Sequence, residues 1–203
     1  MNKSAKYHCY FLFNKPFGTL SQFTDPQGRD TLSNYGPFPK NVYPAGRLDF
    51  DSEGLLLITN DNWLKHQLID PKNHHPRTYF AQVERIPTEE AILKLREGII
   101  IEKRKTFPAE VRLLKKEPQF PHRSVPIRFR KNIPTAWLEI VLREGRNRQV
   151  RKMTAAVGYP TLRLVRIKIG CLNLGDLRPG EYRELRTMEV DNLKKYFTVE
   201  TQR

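Results

Sequence analysis

Three carboxylates at alternate positions, Asp49, Asp51 and Glu53, stand beside Arg47 in the segment Gly46-Arg47-Leu48-Asp49-Phe50-Asp51-Ser52-Glu53-Gly54-Leu55-Leu56. A carboxylate can attack an electrophilic carbon, accept a proton or bind a hard metal ion, and the pattern alone leaves all three open. It also leaves open a solvated turn in which Asp and Ser side chains cap backbone groups. A metal cage is the poorer fit, because neither a nearby histidine nor the twelve-residue calcium-loop spacing accompanies these acids. A glycosidase-like pair needs two carboxyl groups about 5 to 9 Å apart across a sugar, a distance that sequence does not reveal. A glycine-flanked loop at the start of an apolar run suits one exposed, reactive Asp.

A second set of chemistry-bearing residues lies in Arg143-Glu144-Gly145-Arg146-Asn147-Arg148-Gln149-Val150-Arg151-Lys152-Met153. Val150, Met153, Thr154 and Val157 follow helical spacing and predict a buried stripe, while Arg148, Arg151 and Lys152 share another face. On its own this is an amphipathic helix with a solvated basic face. Its opening turn, however, gathers Gly145, three arginines and free backbone N–H groups, which predicts a phosphate or carboxylate site. Of the five histidines, the adjacent pair His74-His75 is expected in an exposed loop rather than as metal ligands. Cys9 and Cys171, far apart and without a CxxC, are expected to be reduced, buried thiols.

The elements that must carry these groups follow from periodicity and punctuation. Strand-like runs fall at Tyr7 to Phe13, Gly54 to Thr59, Arg77 to Val83, Ala109 to Leu114, Ala136 to Leu142 and Leu162 to Ile169. Helices are predicted at Asn62 to Leu68, Thr88 to Glu97 with Thr88 as N-cap and Gly98 as stop, Asn147 to Val157, and Met188 to Tyr196. Adjacent strands joined by short turns or single helices predict an α+β fold with a mixed, mostly antiparallel sheet. With 203 residues, 38% hydrophobic and 29% charged, the chain fits one compact unit and excludes a disordered or fibrous class. The run Gly54 to Thr59 is far short of the roughly 18 to 20 apolar residues that cross a bilayer, and the polar start lacks a signal-peptide core. A soluble, cytoplasmic protein is expected.

Net charge is +14, and most of the excess is concentrated. Residues 101 to 168 hold 18 basic and 5 acidic side chains, whereas residues 41 to 70 hold 2 basic and 5 acidic. A basic surface beside an acidic segment suits a polyanionic partner and carboxylate chemistry performed on it, although a structural RNA binder would also be basic. Lys103, Arg104, Lys105, Lys115, Lys116, Arg123, Arg128, Arg130 and Lys131, interleaved with Phe107, Phe120 and Phe129, predict an RNA track.

Taken in order, Asn14-Lys15-Pro16-Phe17-Gly18, Gly46-Arg47-Leu48-Asp49 with Ser52-Glu53-Gly54-Leu55-Leu56, Arg77-Thr78-Tyr79, Glu144 to Met153, and Leu177-Arg178-Pro179-Gly180-Glu181-Tyr182-Arg183-Glu184-Leu185 resemble the motifs of the RsuA-type RNA pseudouridine synthases. The resemblance runs from about residue 9 to 186. It implies two α+β lobes around a central cleft and an isomerisation of uridine to pseudouridine that uses neither cofactor nor metal. It further implies Asp49 as the ionised catalytic carboxylate, paired with Arg151, and Tyr79 stacked on the uracil and serving in removal of the C5 proton. Arg47 would enter the space vacated by a flipped base, with Arg146, Arg148 and the basic track on the RNA. Lys15 and Pro16 would brace the Asp49 loop, and Asp51 and Glu53 would shape it. Most relatives begin with an S4-type RNA-binding module, and with only about eight residues before the first strand none is expected here. This implies a short subtype that resembles the catalytic domain alone and acts on large-subunit ribosomal RNA or a pre-ribosomal particle, as a monomer. Two rivals remain, a noncatalytic RNA-binding or ribosome-assembly protein on the same fold and a carboxylate nuclease or glycosidase.

Overall fold

The computed structural model describes residues 7–127 and 133–200. In chain order the elements are β1 (Tyr10–Lys15), β2 (Tyr43–Pro44), β3 (Glu53–Thr59), α1 (Asn62–Ile69), β4 (Arg77–Glu84), α2 (Glu89–Glu97), β5 (Ile100–Ile101), β6 (Arg104–Lys105), β7 (Glu110–Leu113), β8 (Thr135–Leu142), α3 (Gln149–Ala156), β9 (Thr161–Ile169), β10 (Leu172–Asn173), β11 (Tyr182–Glu184) and α4 (Thr187–Glu200). The α+β expectation holds, and the six long strands and four helices lie where periodicity placed them, apart from a few end residues. The first strand starts three residues late, at Tyr10, and runs on to Lys15, and the last helix runs four residues further than expected, to Glu200.

One sheet carries the order β11-β1-β3-β9-β4-β8-β7, with β2 beside β3 and β10 beside β9. Its pairings are antiparallel except between β3 and β9, which run parallel and meet only at Glu53↔Val165 and Gly54↔Arg166. That narrow seam divides two hydrophobic regions. On one side β1 and β3 are buried on both faces, which explains their unbroken apolar runs. Leu12, Leu55 and Leu57 pack with Leu64, Leu68, Leu193 and Phe197 of α1 and α4, while Phe11, Phe13, Leu56 and Ile58 face a second cluster with Leu32. Across the seam, Ala81, Leu138 and Ile140 pack with Ile92 and Leu95 of α2 and Val150 and Met153 of α3.

Local chemistry ends and begins the helices. The Asp61 side chain accepts from the Leu64 N–H, Thr88 accepts from the Ala91 N–H, and Gly98 stops α2 with a positive φ of +84°. Among the described residues no helix is long and apolar enough to cross a membrane. Two expectations need correction. His75 is buried, its ring 4.2 Å from that of Phe197, because the loop before β4 tucks under α4. Both thiols are free, but Cys9 is half-buried and Cys171 exposed.

Candidate active site

The Asp49 loop leaves the sheet where β9 and β2 diverge. The edge of β3 pairs with β9 only at its start and with β2 only at Ile58 and Thr59, and the residues joining β2 to β3 fold over the gap. Ser21 pins this loop twice: its hydroxyl donates to the Leu48 carbonyl at 2.8 Å and accepts from the Leu48 N–H at 3.0 Å. The Gly18 N–H donates to the Phe50 carbonyl at 2.9 Å, and the Ser52 N–H to the Asp49 carbonyl at 3.0 Å. Leu48 is buried as an anchor, so Asp49 beside it is held half-buried at the cavity. Gly54 returns the chain to the sheet at φ +104°, and a Cβ there would lie 2.3 Å from the Arg166 carbonyl oxygen. Only glycine allows the approach.

The facing wall comes from the turn before α3. Arg148 adopts a left-handed conformation at φ +51° and makes no side-chain cap. That turn sends its guanidinium to the carboxylates, with two bonds of 2.7 Å to Asp51 and an approach of 3.7 Å to Asp49. Arg151 donates to the Asp51 backbone carbonyl at 2.7 Å and lies 3.3 Å from the Asp51 carboxylate. The expected Arg151–Asp49 pair is thus replaced by Arg151–Asp51, because Asp51 takes both arginines and Asp49 is approached by Arg148. Burial alone would raise the Asp51 carboxyl, but the Arg148 hydrogen bonds and the Arg151 charge outweigh it and hold it below the usual carboxylate range. Burial also draws the Arg151 guanidinium down, opposed by Asp51.

Arg146 is a correction to the open anion site. Its guanidinium is bound by Glu144 at 3.1 Å and by the carbonyls of Arg104 and Lys105 at 3.0 and 2.5 Å. Glu144 in turn accepts from Gln149 at 2.7 Å and from the Phe107 N–H at 2.9 Å. Arg146 therefore ties the β5–β6 hairpin to the cavity rim, and the exposed Lys103, Arg104 and Lys105 side chains project from that hairpin. Arg128, Arg130 and Lys131, with Phe129, lie outside the described residues. Phe120 is packed against Trp137 and the Arg163 guanidinium rather than offered to a ligand.

The cavity between the walls measures about 530 Å³ and is lined by Arg47, Asp49, Tyr79, Arg148 and Arg166 among others. Tyr79 reaches it from β4, directly after a bulge at Thr78/Tyr79, a device that re-aims side chains beside sites. Arg47 is exposed at the same cavity and makes no side-chain ion pair among the described residues. Lys15 is fully buried behind the loop, donating to the Pro16 and Thr19 carbonyls at 2.9 and 2.7 Å. Burial pulls its ammonium down to about 7, against the attraction of Glu53, Asp51 and Asp49. Among the described residues no three His, Cys, Asp or Glu side chains gather as a metal cage would need. Glu53 instead forms a buried two-bond pair with Arg163 at 2.8 and 2.9 Å. Sequence reasoning missed Ser21, Arg163 and Arg166; two arginines inside the apolar run of β9 were the available signal for the last two.

A carboxylate loop, a strand tyrosine and an arginine-bearing helix start thus line one cavity beside a parallel seam between two cores. The model of the RNA pseudouridylate synthase family matches residues 9–156, and the chain belongs to that family, isomerases that convert uridine in RNA to pseudouridine. It is similar to the ribosomal large subunit pseudouridine synthase E of Vibrio parahaemolyticus serotype O3:K6, 53% identical over 174 residues that cover 86% of this chain and 72% of the relative. It is similar to the ribosomal large subunit pseudouridine synthase B of Bacillus subtilis, 39% identical over 186 residues covering 91% and 71%. A crystal structure of a pseudouridylate synthase superposes with a TM-score of 0.78 at 30% identity, covering 94% of this chain and 75% of the other.

Proposed function

We propose that this chain isomerises a uridine of the large-subunit ribosomal RNA, the 23S RNA, to pseudouridine, with Asp49 as the catalytic carboxylate. The observation that carries this reading is that Asp49 lines one cavity together with Tyr79 and five arginines, with Arg148 3.7 Å from its carboxylate. The names of the similar large-subunit synthases support the choice of RNA. Asp49 acts at the ribose, by attack on C1′ or by removal of the C2′ proton; in both routes the N-glycosidic bond breaks, the uracil turns, and C5 bonds to C1′. The reaction is a redox-neutral rearrangement and calls on no cofactor. Arg148 and Arg151 fix the loop through Asp51, leaving the Asp49 carboxylate oriented but only loosely paired. Tyr79 stacks on the uracil. Arg47 fills the space left when the base leaves its stack, a step that costs a few kcal/mol. Phosphates are met by Lys103, Arg104 and Lys105 at the rim. The protein works as a cytoplasmic monomer in this reading.

The test is release of tritium from C5-labelled uridine in a large-subunit RNA transcript, since a new bond at C5 expels its hydrogen. Wild type is expected to release it and Asp49→Ala to release none while still binding the RNA. Tight binding without release from any ribosomal or pre-ribosomal RNA overturns the reading in favour of a noncatalytic binder.

A further inference from the structure

Arg166 lines the cavity with Asp49 and Tyr79, yet is 3% exposed. It sits in β9 at the position paired with Gly54 on one side and Tyr79 on the other. Its Nε donates to the Leu55 carbonyl at 2.8 Å, and its Nη1 reaches towards the Arg47 carbonyl at 3.5 Å. Its Nη2 is buried and has no hydrogen-bond partner among the described residues. A buried guanidinium with an unmet donor is costly unless an acceptor is brought to it. The nearby carboxylates are committed elsewhere, Glu53 to Arg163 and Asp51 to Arg148 and Arg151. Burial disfavours the charged form of Arg166, and it is the Tyr79 hydroxyl that counters this, against repulsion from Arg77. Five arginines line the cavity, of which Arg146 and Arg148 are already paired with Glu144 and Asp51.

We propose that Arg166 is the positioning residue that makes Tyr79 the acceptor of the C5 proton, holding the tyrosine oxygen and stabilising negative charge on it. The proposal rests on the reading of Asp49 and Tyr79 given above. The step balances. Tyr79 enters the step as the tyrosinate, its phenolic proton given up to solvent; once C5 is bonded to C1′, the C5–H bond breaks and its proton passes to the Tyr79 oxygen. The electron pair forms the C5–C6 double bond, the N1–C6 π pair moves to N1, and N1 takes up a proton, which the tyrosine returns. The Nε bond to Leu55 keeps the guanidinium from swinging away during these transfers.

The experiment compares wild type, Arg166→Gln and Arg166→Lys on large-subunit RNA transcripts carrying uridine, C5-deuterated uridine or 5-fluorouridine. Loss of general-base help predicts a fall in kcat of about 100-fold for Arg166→Gln, with KM changed less than about twofold. The isotope effect at C5 should rise above that of wild type, 5-fluorouridine, which has no C5 proton to lose, should still be rearranged, and Arg166→Lys should recover at least about tenfold of the loss. In a Tyr79→Phe background Arg166→Gln should add nothing further. A raised KM with an unchanged isotope effect, or an equal loss on the fluorinated RNA, overturns the proposal and leaves Arg166 a strand tie through Leu55. If Arg166→Gln does not fold, the isotope effect of Arg166→Lys decides in the same way. Asp49→Ala is expected to lose both uridine and 5-fluorouridine rearrangement; activity retained there breaks the underlying reading instead.

Discussion

On the Asp49 side of the cavity, position is set by backbone hydrogen bonds, one serine and one glycine; on the α3 side it is set by guanidinium groups. Ser21 grips Leu48 by both its N–H and carbonyl, and Gly54 seats the loop against β9. Across the gap, Arg148 and Arg151 converge on Asp51 through charge-assisted bonds. The division suits the two duties. Under the proposed function, a reacting carboxylate gains from a frame that does not pair with it, whereas a wall meeting phosphates is cationic and can use the same cations to hold itself.

The largest effect that separates the walls is steric. Gly54→Ala is expected to cost about 3 kcal/mol or more in urea unfolding, from a backbone clash compounded by a left-handed φ. A loss under about 1 kcal/mol would mean that β3 and β9 can part, and that the seam is softer than its register implies.

Next come two smaller losses, of which only one should depend on salt. Asp51→Asn removes the charge facing Arg151, whose side chain is 13% exposed and keeps its bond to the backbone carbonyl of residue 51, and should cost about 2 kcal/mol at low salt. That cost should shrink near 1 M salt, where the screening length is about 3 Å. Ser21→Ala should cost about 1 kcal/mol and stay constant across the same salt range. Equal salt dependence in the two variants would erase the distinction between the walls.

The smallest effect is a pH slope. The Lys15 ammonium has a folded value of about 7 against an ordinary value near 10.5, so the native state binds fewer protons than the unfolded chain between those limits. Stability from this group therefore rises with pH from about 7 upward and is least below it. Between pH 6.5 and 7.5 the stability of wild type relative to Lys15→Met should grow by less than about 1 kcal/mol. A flat difference by chemical unfolding would remove Lys15 from the charge balance behind Asp49.

The long elements were legible because their signals are local. The runs of β3 and β8, Thr88 before α2 and Gly98 after it carry their own periodicity and caps. The two- and three-residue strands β2, β5, β6, β10 and β11 were not, since so short a piece has no period and is defined by its partner. Asp49, Tyr79 and Arg151 could be named from motif order, but which arginine meets which carboxylate could not. That depends on the left-handed turn at Arg148 and on a register joining β3 to β9. Arg146 misled for a related reason: spacing cannot distinguish a cation facing solvent from one clasped by Glu144 two residues earlier. Ser21 gave no sign because a lone serine acquires a task only from the loop laid against it.

The ties across the seam join residues far apart in the chain: Asp51 to Arg148 spans 97 positions, Asp51 to Arg151 spans 100, and Glu53 to Arg163 spans 110. During synthesis the carboxylate loop thus emerges long before the arginines that hold it, and no nascent chain lacking β9 can close the seam. The seam and its ties are therefore complete only after β9 has been made. Until then the ribosome is making a chain whose carboxylate loop has no complete partner wall.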